Sequence, residues 1–555
     1  MRRYRYVNIF FYLLFLICLL FPKSASAANN YYVSTSGNDT NPGTLSQPFK
    51  TVQKGVNVLQ PGDTLSVREG VYQEVVSIDR SGSANSFIQI LAYPGEAPVI
   101  DGNNYQLPAS EWGVIFAVRG NYIKLSGFEI RYSNWMGVIV SGQHNTVANF
   151  NSHHNKENGI LITGDNNIVE DSKAWYNCTS NENGSRTRDY WASGLSAARH
   201  PNNAIIRRNQ VYNNWGEGIS SYEATNTLIE DNIIHDNWSV NIYISDTTGT
   251  IAQRNFVYRT GSANHTNQEH AIVFGDEQCK PESSDNKVLN NIVWGFIRNI
   301  EYWGTANCST HGLKNVVIAN NTLVDAIGSD GNLFISNAGG NVNTVIQNNL
   351  IYQSDSKSIC FFGSKTGLTL SNNLWSKSCS SGSGSNDIAG DPKFAKTNSM
   401  SDPVWFKLLP GSPAIDKGAA ISAVTVDFFK NNRPLGSFPD IGAYEYGGLT
   451  PIPTIPPATI TQINNPTVTP VIKPCTTGIQ GCSCATNTQG DANCDGKVCL
   501  NDYLEYSKAI NGQIIQLDVD FNNDGFIGKK VGLEAGDYEV WLAGNTSSLG
   551  SNCGH

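Results

Sequence analysis

A repeat of about 23 residues constrains this chain more than anything else in it. IIRRNQVYNN from Ile205, LIEDNIIHDN from Leu228 and the stretch around IAQRNFVY from Ile251 align so that Asn209, Asn232 and Asn255 stand 23 residues apart, twice. The pattern returns at Asn291, Asn321, Asn349 and Asn373, and upstream at Gly127, Phe150 and Ser172. A second ladder runs out of phase with it: Gly159-ILIT, Gly194-LSAA, Gly218-ISSY, Asn241-IYIS, then AIVF from Ala271 and IEYW from Ile300. Each repeat therefore holds at least two short strands, separated by Asn/Gly turns that tolerate left-handed backbone. A period of this length with strands this short predicts an all-β, single-stranded parallel β-helix, each coil pairing with the next about 4.8 Å away. Sandwiches and propellers would show hairpins or longer periods. The stacked asparagines fit two accounts, an amide ladder or simple tolerance of the turn.

Composition agrees. Only 15% of the 555 residues are charged, while glycine numbers 52, which argues against long surface helices and coiled coils. The formal charge of −9 argues against a nucleic-acid binder, since phosphate contacts need Lys and Arg. Arg2, Arg3 and Arg5 precede the apolar run Val7–Leu20, and Ala25-Ser26-Ala27 supplies small residues for cleavage before Ala28. Residues 1–27 thus read as a signal peptide, and the product as secreted or cell-surface, in a compartment that permits disulfides. No later stretch is apolar and long enough to cross a bilayer. The domains expected are the β-helix over 28–447, a Pro/Thr-rich linker over 448–474, and a cysteine-rich module over 475–555.

Family resemblance sharpens the fold. YYVSTSGNDTNPGTLSQPFKTVQKGV followed by PGDTLSVREGVYQE resembles the opening of secreted right-handed parallel β-helix proteins, including family-nine pectate lyases. GSPAIDKG (Gly411–Gly418) and DIGAYE (Asp440–Glu445) resemble the closing segment of bacterial surface β-helix proteins. Thr51–Leu59 is expected to form a short amphipathic helix that closes the front of the barrel, because a bare solenoid end exposes its core. The resemblance implies a right-handed coil and a polysaccharide substrate. Family-nine lyases pair an aspartate calcium cluster with a lysine base. Aspartates are present here in kind, but no lysine stands in the matching ladder.

Register supplies the candidate site. Four residues after the first apolar position of successive strands in the second ladder come Arg199, Glu223, Asp246 and Asp276. Stacked about 5 Å apart, such carboxylates raise one another's pKa or demand a cation. They would hold calcium against a substrate carboxylate, or divide acid and base roles. Trp191, Trp215 and Trp238 form another register, either an internal ladder or a platform for sugar rings, with His200 and His270 nearby. Insertions around Glu277–Asn286 and Gly304–Leu313 lie on successive coils, which favours a Cys279–Cys308 disulfide. Cys360 can pair with Cys379, leaving Cys178 unassigned. Three functions fit: a polysaccharide lyase on an acidic polymer, a glycoside hydrolase using two of these carboxylates, or a non-catalytic glycan-binding surface protein.

The tail carries a separate signal. Asp491, Asn493 and Asp495 stand at positions 1, 3 and 5 of a loop with Gly496 at 6, the Lys497 carbonyl at 7 and Asp502 at 12, the oxygen set that calcium takes. A second loop offers Asp520, Asn522, Asp524 and the Phe526 carbonyl, and a five-residue insertion delays its last ligand to Asp537. Two such loops, each leading into a short helix, resemble the small α-helical dockerin module. That resemblance implies bound calcium and a cohesin-like scaffold partner. Cys494 and Cys499 inside the first loop, and the insertion in the second, depart from the pattern.

Overall fold

The computed structural model describes residues 28–448, save 104–112, 185–191, 262–269, 281, 305–307, 309, 337–339 and 398. The signal segment, the linker and the whole dockerin-like module, with its ten candidate calcium ligands, lie outside the described residues.

The 23-residue period resolves into coils of three strands. One coil runs Ile205–Arg207, Gln210–Tyr212 and Glu217–Tyr222. Stacking such coils makes three parallel sheets: a first of 13 strands that includes Ile205–Arg207, a second of 11 that includes Glu217–Tyr222, and a third of 13 that includes Gln210–Tyr212. All the strand pairs are parallel and in register; Leu228, Ile229 and Glu230, for example, sit over Ile205, Ile206 and Arg207. Alternate residues point inward, and the core is a continuous column of Val, Ile, Leu and Phe running from Val33 to Trp375.

The turns explain the asparagines. Between the first and third sheets the chain turns through one residue at positive φ, followed by one fully buried residue. The positive-φ position holds Asn149, Asp171, Arg208, Asp231, Arg254, Asn290, Asn320, Asn348 and Asn372 in successive coils. The buried residue that follows is the ladder asparagine. Asn209 Nδ2 donates to Asn232 Oδ1 at 3.1 Å, Asn232 to Asn255 at 2.9 Å, Asn255 to Asn291 at 3.0 Å, and so on through Asn321 and Asn349 to Asn373. Each Oδ1 also accepts the preceding rung's backbone N–H, so every amide satisfies a main-chain group that burial would orphan. Ser172 and Phe150 continue the position. The rung before them is Phe128, one residue later than the alignment above expects, because Gly127 at φ +89° fills the positive-φ position instead. A second amide ladder, absent from the sequence reading, links Asn155, Asn177, Asn214 and Asn237 at the next turn.

The front end is capped, and the last coils are covered on one flank. Val52–Val58 is helical, its N-cap Thr51 accepting from Lys54 N–H, and it buries Val52 and Val56 against the first strands. At the other end, Phe394, Phe406, Ile441 and Tyr444 pack on Phe256, Ile292, Leu350 and Leu374 of the third sheet's outer face. Asn290, Asn320 and Asn348 donate to the Val426, Asp440 and Ala419 carbonyls, so the closing segment runs along the flank of the last coils. Arg433 and Glu445, each 1% exposed, pair at 2.5 Å within it.

Candidate active site

Five consecutive strands of the 11-stranded sheet carry the site: Ser193–Ala198, Glu217–Tyr222, Val240–Ser245, His270–Gly275 and Arg298–Tyr302. Leu195, Ile219, Ile242, Ile272 and Ile300 are paired in one row and point into the core. Their following neighbours therefore face outward: Ser196, Ser220, Tyr243, Val273 and Glu301. Small hydroxyls at the first two positions leave room where larger side chains follow, and a cleft of about 540 Å³ opens there. Its floor is Ser196, Ser220 and Tyr243; Ser193 and Glu217 line one edge, and Arg199, Tyr222, Glu223, Glu277 and Gln278 the other.

The register places Arg199, Glu223 and Asp246 on one turn, at φ +68°, +50° and +52°. They do not all reach the cleft. Arg199 and Glu223 line it. Asp246 is fully buried, its oxygens accepting Ser245 Oγ at 2.7 Å and the backbone N–H groups of Glu277 and Gln278 at 3.0 and 2.9 Å. It thereby fixes the loop that brings Glu277 and Gln278 to the cleft wall. Asp276 is equally buried and pairs with His311 Nδ1 at 2.7 Å, burial pushing its carboxyl above the usual range. Among the described residues the three ligand atoms that do converge belong to Cys279, Cys308 and His311, and the two sulfurs form a disulfide. Among the described residues the carboxylates of Glu223, Asp246 and Asp276 do not converge as a set of three ligands.

The other candidates separate in the same way. Trp215 is 3% exposed and packs with Cys178 and Ala192, so its ring offers no face to a sugar; Trp238 is half-buried against the same cluster. Trp191 lies outside the described residues. His200 is exposed at the turn beyond Arg199. His270 faces Glu301 at 2.6 Å, and Arg298 holds the other oxygen of that carboxylate at 2.5 Å. Cys360–Cys379 also forms a disulfide, and Cys178 is free and buried, which pushes its thiol well up.

Sequence reasoning missed the floor and the Glu217 edge. Ser193, Glu217, Val240, His270 and Arg298 occupy one register position, two residues before the inward row, and that alignment was available. Ser193 Oγ donates to Glu217 Oε2 at 2.9 Å and lies 2.7 Å from Ser220 Oγ, which lies 2.7 Å from Ser196 Oγ. On the opposite edge the Tyr222 phenol is pushed up to about 12, first by burial and then by the Glu223 charge, and so stays protonated.

A parallel β-helix with a polar, carboxylate- and arginine-lined cleft on one outer sheet face is the class of protein that these features define. Comparison with known proteins adds the relatives. Residues 31–264 match the family model described as Pel9A-like, right handed beta helix region. An uncharacterized protein, YwoF of Bacillus subtilis, is 30% identical over 124 residues, covering 21% of this chain and 26% of that protein. Pectate lyase PEL9 of Emericella nidulans is 36% identical over 93 residues, 16% of this chain and 22% of that one. The matches thus span about a quarter of these curated relatives. Among solved structures, pectate lyase Pel9A gives a TM-score of 0.48 at 19% identity, covering 76% of this chain and 97% of that one. XylC in complex with xylose gives 0.46 at 13% identity, covering 75% and 98%.

Proposed function

We propose that this protein is a secreted polysaccharide lyase acting on a uronate-containing polymer at the Arg199–Glu223 cleft. What carries the reading is one guanidinium and one half-buried phenol, Arg199 and Tyr222, lining the same cleft edge beside the Glu223 carboxylate. The pectate lyase among the matched relatives points to the same substrate class. In this mechanism Arg199 pairs with the C6 carboxylate of the bound sugar and so acidifies the C5 proton. Glu223 takes that proton; the C–H electron pair becomes the C4=C5 double bond; the C4–O4 bond breaks; and O4 leaves with the Tyr222 proton. Glu223 then returns its proton to the Tyr222 phenolate. The hydrolase alternative loses two of its three carboxylates, since Asp246 and Asp276 are buried and engaged.

The dockerin-like tail fits a tether. Calcium in the two loops would order the module and present it to a cohesin-like scaffold, while the Pro/Thr-rich linker keeps the β-helix apart from it. No helix among the described residues is long and apolar enough to cross a membrane.

Incubation with pectate, alginate and neutral glycans, with and without calcium, tests the reading. Growth of ultraviolet absorbance from unsaturated uronates is expected on one of the acidic polymers. New reducing ends without that absorbance would replace the lyase by a hydrolase. Glycan binding with neither product would leave a binding protein.

A further inference from the structure

The cleft floor holds a hydrogen-bond chain whose direction is set by proton counting. Ser193 Oγ donates its one hydroxyl proton to the Glu217 carboxyl oxygen Oε2, 2.9 Å away. Ser193 Oγ must then accept from Ser220, and Ser220, its proton committed, must accept from Ser196; both contacts are 2.7 Å. Ser196 ends the chain with its proton used and only lone pairs left. All four residues line the cleft and are at most 7% exposed. Three nearly buried hydroxyls bonded in series on the outer face of a sheet contribute nothing to the core beneath, which Leu195, Ile219 and Ile242 already fill.

From this we infer that the Ser196–Ser220–Ser193–Glu217 chain determines substrate orientation: its end at Ser196 accepts a hydrogen bond from a free sugar hydroxyl and repels a carboxylate. Arg199 stands three residues on, at the turn that ends the same strand, up to about 10 Å away by strand rise, enough for one pyranose ring between them. A uronate sugar therefore lies with its hydroxyl edge on Ser196 and its C6 carboxylate on Arg199. The inference rests on the uronate reading above and adds a specificity to it: sugars whose ring hydroxyls are esterified lose the floor contact. Glu217 does not touch the sugar. It acts as a positioning residue, by fixing which way the hydroxyls point. Glu217→Gln places an N–H donor opposite Ser193, lets the chain reverse, and turns Ser196 into a donor.

Calorimetric binding to the full-length protein tests this, using a tetragalacturonate and the same oligomer O-acetylated on its ring hydroxyls. Ser196→Ala is expected to weaken binding of the free oligomer roughly five- to tenfold, the size of one neutral hydrogen bond, and to leave the acetylated one unchanged. Ser196→Thr, which keeps the hydroxyl, is expected to restore the difference. Glu217→Gln should narrow or invert the preference for the free oligomer with an unchanged melting temperature. Equal losses on both oligomers, or no loss in Ser196→Ala, would overturn the relay. If the parent protein binds a neutral oligosaccharide and no uronate, the lyase reading falls, and the same comparison on acetylated and free neutral sugar decides the relay. Binding to neither class overturns both.

Discussion

Two outer faces of one β-helix show how the same stacking produces opposite results. On the third sheet, the last residue of successive strands is Trp175, Tyr212, His235, Tyr258 and Trp294. Their ring centroids are 4.7–6.0 Å apart and their planes within 15° of parallel. Each inner ring covers its neighbours' faces, so the row is closed to sugars although it is aromatic and partly exposed. On the 11-stranded sheet, the equivalent outward row reads Ser196, Ser220, Tyr243, Val273, Glu301. Unlike residues cannot close over one another, and the small ones leave the cleft. Like-on-like stacking builds a ladder. A break in likeness builds a site.

The sharpest way to break this comparison is at the cleft. Arg199→Ala removes the only group proposed to neutralise the substrate carboxylate, and a loss of two to three orders of magnitude in kcat/KM is expected, the size seen for single electrostatic stabilisers. The melting temperature should hold, because Arg199 lies at a turn on the surface rather than in the core. An unchanged rate on the active substrate would move the chemistry elsewhere on the sheet.

The amide ladder comes next. Asn255 donates to Ile229 O and Asn291 Oδ1 and accepts from Asn232 N and Nδ2. Asn255→Ala leaves several buried polar groups without partners, and at about 1–3 kcal/mol for each the loss should reach about 4 kcal/mol or more. Urea unfolding measures it. A loss below about 1 kcal/mol would show that the asparagine merely suits its turn, the alternative with which the sequence began.

How much of this was legible follows from the same distinction. Repetition is what a sequence displays best, so the coil period, the two strand ladders and the Asn209-to-Asn373 row could all be aligned from residue types alone. Gly127 was misplaced by one because glycine and asparagine share the positive-φ position, and a glycine marks the turn rather than the ladder. Arg199 and Glu223 were legible as register positions. Asp246 and Asp276 share that register, but nothing in their own strands announces that the loop at Glu277–Gln278 and His311 will engage them. The serine floor is harder still. Ser196 and Ser220 look like ordinary strand residues, and they become a floor only because two coils stack.

The aromatic ladder tests the other half of the comparison with a smaller effect. His235 sits between Tyr212 and Tyr258, with ring centroids 5.0 and 4.7 Å away. His235→Ala removes both stacks, and at about 0.5–1.5 kcal/mol for each pair a loss of roughly 1–3 kcal/mol is expected. His235→Phe should recover most of it. Both variants should bind and cleave glycan as the parent does. Impaired glycan binding at constant stability would show that the closed ladder is a ligand surface after all.

The smallest expected effect is a slope. Asp440, 3% exposed in the closing segment, has its carboxyl pushed from the ordinary 3.8 to about 6, mainly by burial, with a lesser contribution from the Glu445 charge. An acid whose folded value is raised binds its proton more tightly when folded, so its contribution to stability is complete below about pH 4 and is lost as pH rises through about 6. The closing segment should therefore loosen slightly between those values, by less than about 1.4 kcal/mol per pH unit, the ceiling for one proton. Asp440→Asn cannot ionise, so it should flatten that part of the stability-versus-pH curve, even if its absolute stability falls because one oxygen that accepts from the Asp416 or Tyr446 backbone is gone. Thermal melts of parent and variant at half-unit steps from pH 4 to 7 decide it: parallel curves would mean that Arg433 and the backbone donors already hold Asp440 ionised. The cleft lies on a different sheet from the one this segment packs against, so glycan binding measured across the same range should not follow the slope.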